Sequence, residues 1–203
     1  MESCAFCNID VLRNDSGVPY KDESFFFRVG LSLIARGHTL LVPNQHYQCY
    51  GALPDSLDEK CYELEDTLKR RISEAFSEPF LIEHGVWGQT VPHAHSHFIP
   101  LKSEEYEITS LIDEMIMKGP LATKIEEVDR IKLKQVYQEE GGYLRIEENG
   151  KLYICHITDI PVDKSNPYLT FRAFFEQIKG LTGIGNWKTM TGDEKKRDEK
   201  KRA

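Results

Sequence analysis

Three histidines at alternating positions give this chain its strongest chemical signal. His93, His95 and His97 are separated by Ala94 and Ser96. If this segment is a strand, a side-chain period of two places the three imidazoles on one face and the intervening side chains on the other. Neutral imidazole acts as a metal ligand, a base or a nucleophile near pH 7. The pattern therefore predicts a metal-binding or nucleophilic site, against the alternative of a chance cluster on a solvated edge strand.

The segment before the histidines has the composition of a phosphate-binding loop. Gly88, Gln89 and Thr90 combine flexible backbone with short polar donors. Together with the histidines, this loop resembles the signature of the histidine-triad (HIT) family, Gly-Gln-(Ser/Thr)-Val followed by alternating histidines, except that Ser96 replaces an apolar residue. Residues 37–46 resemble the family's second block. The chain thus looks like a zinc-containing HIT hydrolase with a C-terminal extension, and the resemblance covers about residues 4–100.

The resemblance implies a role for each matching polar residue. It makes His95 the nucleophile that attacks the α-phosphate of a nucleotide derivative and forms a nucleotidyl-imidazole intermediate. Hydrogen-bond donors around the phosphorus would hold the equatorial oxygens. The expected catalytic residues are His95, His97 and His38, and the expected phosphate- or nucleotide-binding residues are Gln89, Thr90 and Gly88.

The acceptor of the nucleotidyl group decides the reaction. Transferase branches of the family typically carry Gln at the position of His97, so the third histidine favours a hydrolase. The expected substrate is a dinucleoside polyphosphate or a nucleoside phosphoramidate. A nucleotidyltransferase is the nearest alternative, and a nucleotide-binding or nucleic-acid end-processing module with little small-nucleotide turnover is another. Glu83 keeps the binding module in view, because family members commonly have an amide there that faces the phosphates; Glu83 would repel phosphate unless it points to solvent.

A Cys-x-x-Cys pair, Cys4 and Cys7, supplies half of a tetrahedral zinc site, and two distant histidines would complete it. Several branches that the chain resembles hold zinc with such a pair, the histidine after the second block and the first triad histidine. Those positions are Cys4, Cys7, His46 and His93. Four protein ligands leave no position for water, so this zinc is expected to be structural. The alternative is a disordered cysteine pair, with His93 binding phosphate.

Composition limits the partners and the compartment. The 203 residues have a net charge of −7 and five cysteines, an odd number that does not fit a secreted disulfide framework. Residues 188–203 carry seven Lys/Arg and four Asp/Glu, so the rest of the chain is acidic and nucleic acid is not an expected partner. Neither a membrane span nor a basic segment followed by an apolar one is present, which predicts a cytoplasmic protein that binds a nucleotide substrate.

Periodicity predicts an α+β fold, an antiparallel sheet with a long helix packed on it. Strands are expected at residues 25–29, 31–35 and 80–83 and at the three alternating histidines, and residues 36–46 are expected to form a turn and a β-rich run closed by Pro43. A helix is expected at residues 55–77 with a capping box of Ser56 and Glu59. Beyond residue 100 we expect helices at 109–118 and about 121–138, a hairpin around Asn149-Gly150, a helix from Asn166 and a charged tail.

The predicted domain division follows the resemblance. Residues 1–104 are expected to form the HIT-like catalytic domain, and residues 105–203 a C-terminal elaboration of helices, a β-hairpin and a tail. Family hydrolases commonly form two-fold dimers, so a homodimer is one expectation. The other is that the C-terminal residues cover or replace the dimer interface.

Overall fold

The computed structural model describes most of residues 4–156. The described ranges are 4–7, 18–30, 33–86, 89–102, 108–113 and 125–156, together with Gly192, Asp193, Lys195, Lys196 and Glu199. The predicted helix from Asn166 and most of the predicted tail lie outside these ranges. Within the part of the chain that is described, no helix combines the length and the apolar character needed to cross a membrane.

Eight strands of the described residues form one antiparallel sheet, which confirms the α+β class. In chain order the strands are β1 (Tyr20–Lys21), β2 (Phe25–Val29), β3 (Thr39–Pro43), β4 (Pro79–Glu83), β5 (Ser96–Pro100), β6 (Ile125–Val128), β7 (Tyr143–Glu148) and β8 (Lys151–His156). Their spatial order is β1-β2-β3-β5-β4-β7-β8-β6. Two α-helices are described from their first to their last residue, α1 (Asp58–Ala75) and α2 (Arg130–Glu140). The strands after residue 104 thus continue the sheet of the first hundred residues.

The core fills both faces of the sheet, because each central strand alternates its side chains between them. Toward α1 lie Leu81 of β4 and Phe98 of β5, packed with the helix residues Leu64 and Leu68. The opposite face carries a second cluster that includes Phe80, Ile82, Ile99, Ile108 and Leu111. Both faces of β4 and β5 are therefore buried.

The predicted strand at residues 31–35 is wrong for its described part. Residues 33–38 form the connection between β2 and β3, and Ile34 and Ala35 are fully buried in the core. Gly37 turns the chain with a φ of 88°, and a Cβ there would lie 2.6 Å from the Phe76 ring. The apolar run that suggested a strand therefore fills the core from a loop.

Helix α1 confirms the predicted helix with a different start. Ser56 lies in a 3-10 turn, Asp55–Leu57, and Leu57 takes the N-cap position, so the expected capping box is wrong. The apolar stripe packs on the sheet through its buried members, whereas Phe76, just after the helix, remains 48% exposed. The buried apolar members are Cys61, Leu64, Leu68 and Ile72.

The second half of the fold mixes confirmed and corrected predictions. The hairpin of β7 and β8 turns at Asn149-Gly150, and the positive φ values of both residues, 52° and 74°, fit a type I′ turn. The helix predicted at about 121–138 begins instead at Arg130, where the Asp129 side chain accepts the Lys132 N–H as an N-cap. Residues 125–128 form β6, because pairing with β8 overrides their helical periodicity.

A buried ion pair joins α1 to β7. Arg145 donates two parallel hydrogen bonds of 2.9 Å to the two carboxylate oxygens of Glu65. It also donates to Glu147, which Lys69 contacts from the helix. Arg145 and Glu65 are 1% and 0% exposed, so each charge depends on the other for the solvation that it lost on folding.

We expect Arg145→Ala to lower the free energy of unfolding by about 3–5 kcal/mol, because it leaves the Glu65 carboxylate buried without its bidentate partner. Urea denaturation measures the change. Arg71→Ala is the matched control, since Arg71 is 69% exposed and lies 3.9 Å from Glu74; its effect should stay within about 0.5 kcal/mol. Equal stability losses for the two variants would contradict this account of the pair.

Candidate functional site

The three alternating histidines converge at the start of β5, although the strand contains only the last of them. Strand β5 begins at Ser96, so the prediction that one strand carries all three is wrong. Ala94 and Phe98 turn into the core toward α1, as the alternation predicts. The ring centroids of His95 and His97 lie 5.0 Å apart.

The hydrogen bonds of His95 define its tautomer. Its Nδ1 lies 2.7 Å from the backbone carbonyl oxygen of His93. A carbonyl can only accept, so Nδ1 carries the proton and the lone pair of the neutral ring lies on Nε2. The side chain is 4% exposed, and its ring is held by a partner in its own backbone. This arrangement leaves Nε2 as the basic and nucleophilic atom.

A second chain of hydrogen bonds sets the tautomers of His38 and His97. The backbone N–H of Ile34 donates to Nδ1 of His38 at 3.3 Å, so Nε2 of His38 carries the proton. That Nε2 lies 2.9 Å from Nδ1 of His97 and donates to it. The neutral His97 ring then carries its own proton on Nε2. His97 is therefore a donor through Nε2, whereas His95 presents a lone pair there.

Four predicted metal ligands come together beside the triad. The ligand atoms of Cys4, Cys7, His46 and His93 all lie within 4.8 Å of one another. Nδ1 of His93 is 3.5 Å from each cysteine sulfur, and Nδ1 of His46 is 3.2 Å from Cys7. Two sulfurs and two imidazole nitrogens are the donor set of a tetrahedral metal site.

The protonation states of this group suit a metal ion. Nε2 of His93 donates to the Pro43 carbonyl oxygen at 2.8 Å, which leaves the Nδ1 lone pair facing the cysteines. Burial lowers the pKa of His93, so the ring stays neutral as a ligand must. Burial and the neighbouring Cys4 raise the pKa of the Cys7 thiol to about 11, so a bound cation would have to displace its proton.

Phe6, between the two cysteines, connects the metal-ligand group to the triad. Its ring lies edge to face with His93 at 5.7 Å and with His95 at 5.2 Å between centroids. The Arg28 guanidinium lies 6.0 Å from the Phe6 centroid. The sequence prediction missed Phe6; its position inside the Cys-x-x-Cys pair was the available signal.

The predicted phosphate loop is described in part. Gly88 lies outside the described residues, and Thr90 is exposed. The Gln89 side-chain amide donates to the backbone oxygen of Gln48 at 2.7 Å, and the Ala94 N–H donates to the Tyr47 oxygen at 2.7 Å. His84, which had no predicted role, lies 6.1 Å from His97 between ring centroids. Residues 47 and 48 thus support the loop on either side of His93.

Glu83 faces neither the histidines nor solvent, which corrects both readings of it. Its carboxylate is fully buried on the α1 side of the sheet and accepts the Tyr50 N–H at 2.7 Å. The Tyr143 hydroxyl donates to the same carboxylate at 2.8 Å. The side chains of β4 alternate, so Glu83 points away from the face that carries His97.

Comparison with known proteins decides the family. The model of the HIT domain matches residues 12–104. The Bacillus subtilis protein named Protein hit is 32% identical over 104 residues, which cover 49% of this chain and 71% of that protein. The chain belongs to the HIT family. Similarity to another HIT protein, an uncharacterized HIT-like protein of Methanocaldococcus jannaschii, is 28% over 146 residues, 68% of this chain and 99% of that protein.

The similarity to the Methanocaldococcus jannaschii protein includes part of the segment after the HIT-domain match. Because 68% of a 203-residue chain cannot fit within residues 1–104, the alignment continues past residue 104. The resemblance is therefore longer than the residues 4–100 that the motifs cover. Among solved structures, a HIT family protein of Bacillus anthracis is 26% identical, with a TM-score of 0.45, and the match covers 58% of this chain and 89% of that one.

We expect Glu83 to make the protein less stable as the pH rises. Burial raises its pKa from 4.5 to about 7, so between these values the folded state binds more protons than the unfolded state. The contribution of Glu83 to the free energy of unfolding is roughly 3 kcal/mol at most. It is complete below pH 4.5 and is lost as the pH rises through about 7. Urea denaturation from pH 5 to 8 should show a shallower fall for Glu83→Gln than for wild type. Parallel curves for the two proteins would contradict the raised pKa.

Proposed function

We propose that this HIT protein is a nucleotide hydrolase that acts at the α-phosphate through a nucleotidyl-histidine intermediate. The observation that carries the proposal is the hydrogen bond from Nδ1 of His95 to the His93 carbonyl, because it leaves the lone pair on Nε2. In the first step Nε2 bonds to phosphorus and the bond to the leaving group breaks. Water then attacks phosphorus, the P–N bond breaks with its electron pair returning to Nε2, and a nucleoside monophosphate is released.

The other polar residues would stabilise the phosphate. His97 would donate its Nε2 proton to a phosphate oxygen, and His38 would hold that tautomer through its 2.9 Å hydrogen bond. Gln89, Thr90 and Gly88 are proposed to bind the nucleotide phosphates. As the ring of His95 becomes cationic in the intermediate, the His93 carbonyl oxygen would stabilise its Nδ1–H. The residues of the triad thus divide into a nucleophile, its backbone acceptor and a donor.

The buried position of Glu83 removes the objection to phosphate binding that kept the binding module in view. An anion facing the phosphates would have opposed substrate binding, but the carboxylate is held on the opposite side of the sheet by Tyr50 and Tyr143. A nucleotidyltransferase remains the alternative, since both reactions share the first step. Release of nucleoside monophosphate from a dinucleoside polyphosphate, compared with transfer to added phosphate or to a sugar phosphate, separates the two. Adenylated DNA and RNA ends test the end-processing alternative.

We propose zinc as the metal of the cysteine and histidine group. The donors Cys4, Cys7, His46 and His93 would saturate a tetrahedral ion, so its contribution would be to stabilise the fold. Cys4 and Cys7 would tie the Phe6 segment to His93, two residues from the nucleophile. A nucleotide ligand, the absence of nucleic-acid partners, homodimer formation, the cytoplasmic location and the domain boundary at residue 104 remain predictions.

Elemental analysis tests the metal. We expect about one zinc per chain in the purified protein and almost none after Cys4→Ser with Cys7→Ser, because two thiolate ligands are lost. Cys155→Ala is the control, since Cys155 is buried in the core away from this group. Zinc bound equally by the double variant and by wild type would rule out the assignment.

His95→Ala should reduce the rate of nucleotide hydrolysis by more than about 10³-fold while nucleotide affinity changes little, because the nucleophile forms the reacting bond and other groups bind the phosphates. Steady-state kinetics and calorimetry measure the two quantities. His156→Ala is the matched control: His156 lies on β8 between Glu126 and Glu140, and its loss should leave the rate unchanged. A wild-type rate for His95→Ala would replace the covalent mechanism by direct attack of water.

A further inference from the structure

Tyr143, the first residue of β7, contacts the first hundred residues of the chain through both its hydroxyl and its backbone N–H. Its hydroxyl donates to Glu83 at 2.8 Å and accepts the Gly51 N–H at 2.8 Å. Its backbone N–H donates to the Gly85 oxygen at 2.8 Å, and a parallel bridge pairs it with Val86. The side chain is fully buried. Tyr143 therefore fixes both the end of β4 and the beginning of the segment that leads to the triad.

Two glycines of the first half make room for this side chain. A Cβ on Gly85 would lie 2.3 Å from the Tyr143 ring, a distance that no packed structure accommodates without movement. A Cβ on Gly51 would lie 3.0 Å from the same ring and 2.6 Å from Cβ of Tyr137 in α2. Gly51 and Gly85 thus leave the space that the rings of Tyr137 and Tyr143 occupy.

Val86 adds backbone strain at the same place. Its φ of 80° lies in the left-handed region, which β-branched residues rarely adopt. Such a conformation persists only where the surrounding contacts enforce it, and strained residues cluster at functional sites. The contacts of Val86 and Gly85 with Tyr143 supply that enforcement three residues before Gln89.

A second tyrosine of the C-terminal half supports the far end of the same loop. The Tyr137 hydroxyl donates to the Gln48 side chain at 3.0 Å, and the backbone oxygen of Gln48 accepts from Gln89 at 2.7 Å. The neighbouring Tyr47 oxygen accepts the Ala94 N–H next to His95. The segment between β4 and β5 is therefore held at both ends by contacts that lead to α2 and β7.

We infer that Tyr143 is a positioning residue of the nucleotide site. It holds Gly85 and Val86, with the strained φ of Val86, in the conformation that leads to the proposed phosphate-binding residues Gln89 and Thr90. The inference deepens the proposed hydrolase function and rests on it. It also gives β7 a role in the reaction, because this strand packs against the segment that leads from β4 to the proposed phosphate-binding residues. Tyr143 acts through two sets of contacts: its hydroxyl binds Glu83 and Gly51, and its backbone pairs with Gly85 and Val86. It does not touch the reacting atoms.

Tyr143→Phe tests the inference, because it removes the hydroxyl and keeps the ring. We expect kcat for nucleotide hydrolysis to fall roughly tenfold to a hundredfold while KM changes less than about threefold, since a displaced loop disfavours the transition state more than ground-state binding. Amide hydrogen exchange of the free protein should be faster across residues 84–91. The control is Tyr20→Phe, which removes a hydroxyl that donates to Asp22 at 2.7 Å near the opposite edge of the sheet; both readouts should match wild type.

Wild-type kcat together with wild-type exchange in Tyr143→Phe would overturn the inference. If the wild-type protein hydrolyses no nucleotide, the proposed function fails, and the exchange rates alone decide whether Tyr143 holds the loop. Val86→Gly covers the case in which Tyr143→Phe does not fold. Glycine adopts a φ of 80° without strain but adopts negative φ values as readily, so the backbone at this position becomes more flexible. Exchange across residues 84–91 should therefore be faster and kcat lower. Unchanged exchange and kcat in Val86→Gly would contradict the role of the strained conformation.

Discussion

The pairing of β5 with β3 on one edge and β4 on the other is the constraint on which the site depends. Register places Leu40 of β3 and Ile82 of β4 opposite His97, so the histidine face of β5 continues across both neighbours. His38 lies directly before β3, and this pairing brings it within hydrogen-bond distance of His97. A shift of one residue in either pairing would turn His97 to the face that packs on α1 and Phe98 to the opposite face. Burial of Phe98 and Ile99 on the two faces holds the register.

Buried polar groups make the two halves of the chain one unit. Arg145 meets Glu65 of α1, and Tyr143 meets Glu83 of β4, in each case through hydrogen bonds that are inaccessible to water. Desolvation makes such groups costly unless every partner is present, so these contacts specify how β7 docks on β4 more strictly than apolar packing would. The same contacts hold the segment that leads from β4 to the triad.

The metal-ligand group and the triad share a residue and a ring contact. His93 contributes its Nδ1 to the group and its backbone oxygen to His95, so a change in its position reaches the proposed nucleophile directly. Phe6 touches both imidazoles from the cysteine loop. A structural zinc at this point would therefore influence the chemistry through geometry, with no bond to the substrate.

Local signals in the sequence determined the elements with strong intrinsic preferences. The Asn149-Gly150 turn, the apolar stripe of α1 and the alternation of Ala94 and Phe98 act over a few residues, and each leads to the predicted structure. The family motifs predicted four metal-ligating residues, and the fold brings these side chains together from positions 4, 7, 46 and 93.

Only the tertiary structure decided which partner each ambiguous segment met. Residues 125–128 form a strand because they pair with the edge of β8. Ile34 packs in the core from a loop because the chain turns at Gly37. The sequence left two orientations open for Glu83, toward the phosphates or toward solvent. Its buried orientation depended on Tyr143, 60 residues away along the chain. Sequence patterns report the preferences of neighbours in the chain, whereas burial and hydrogen bonding are settled by residues that meet only after folding.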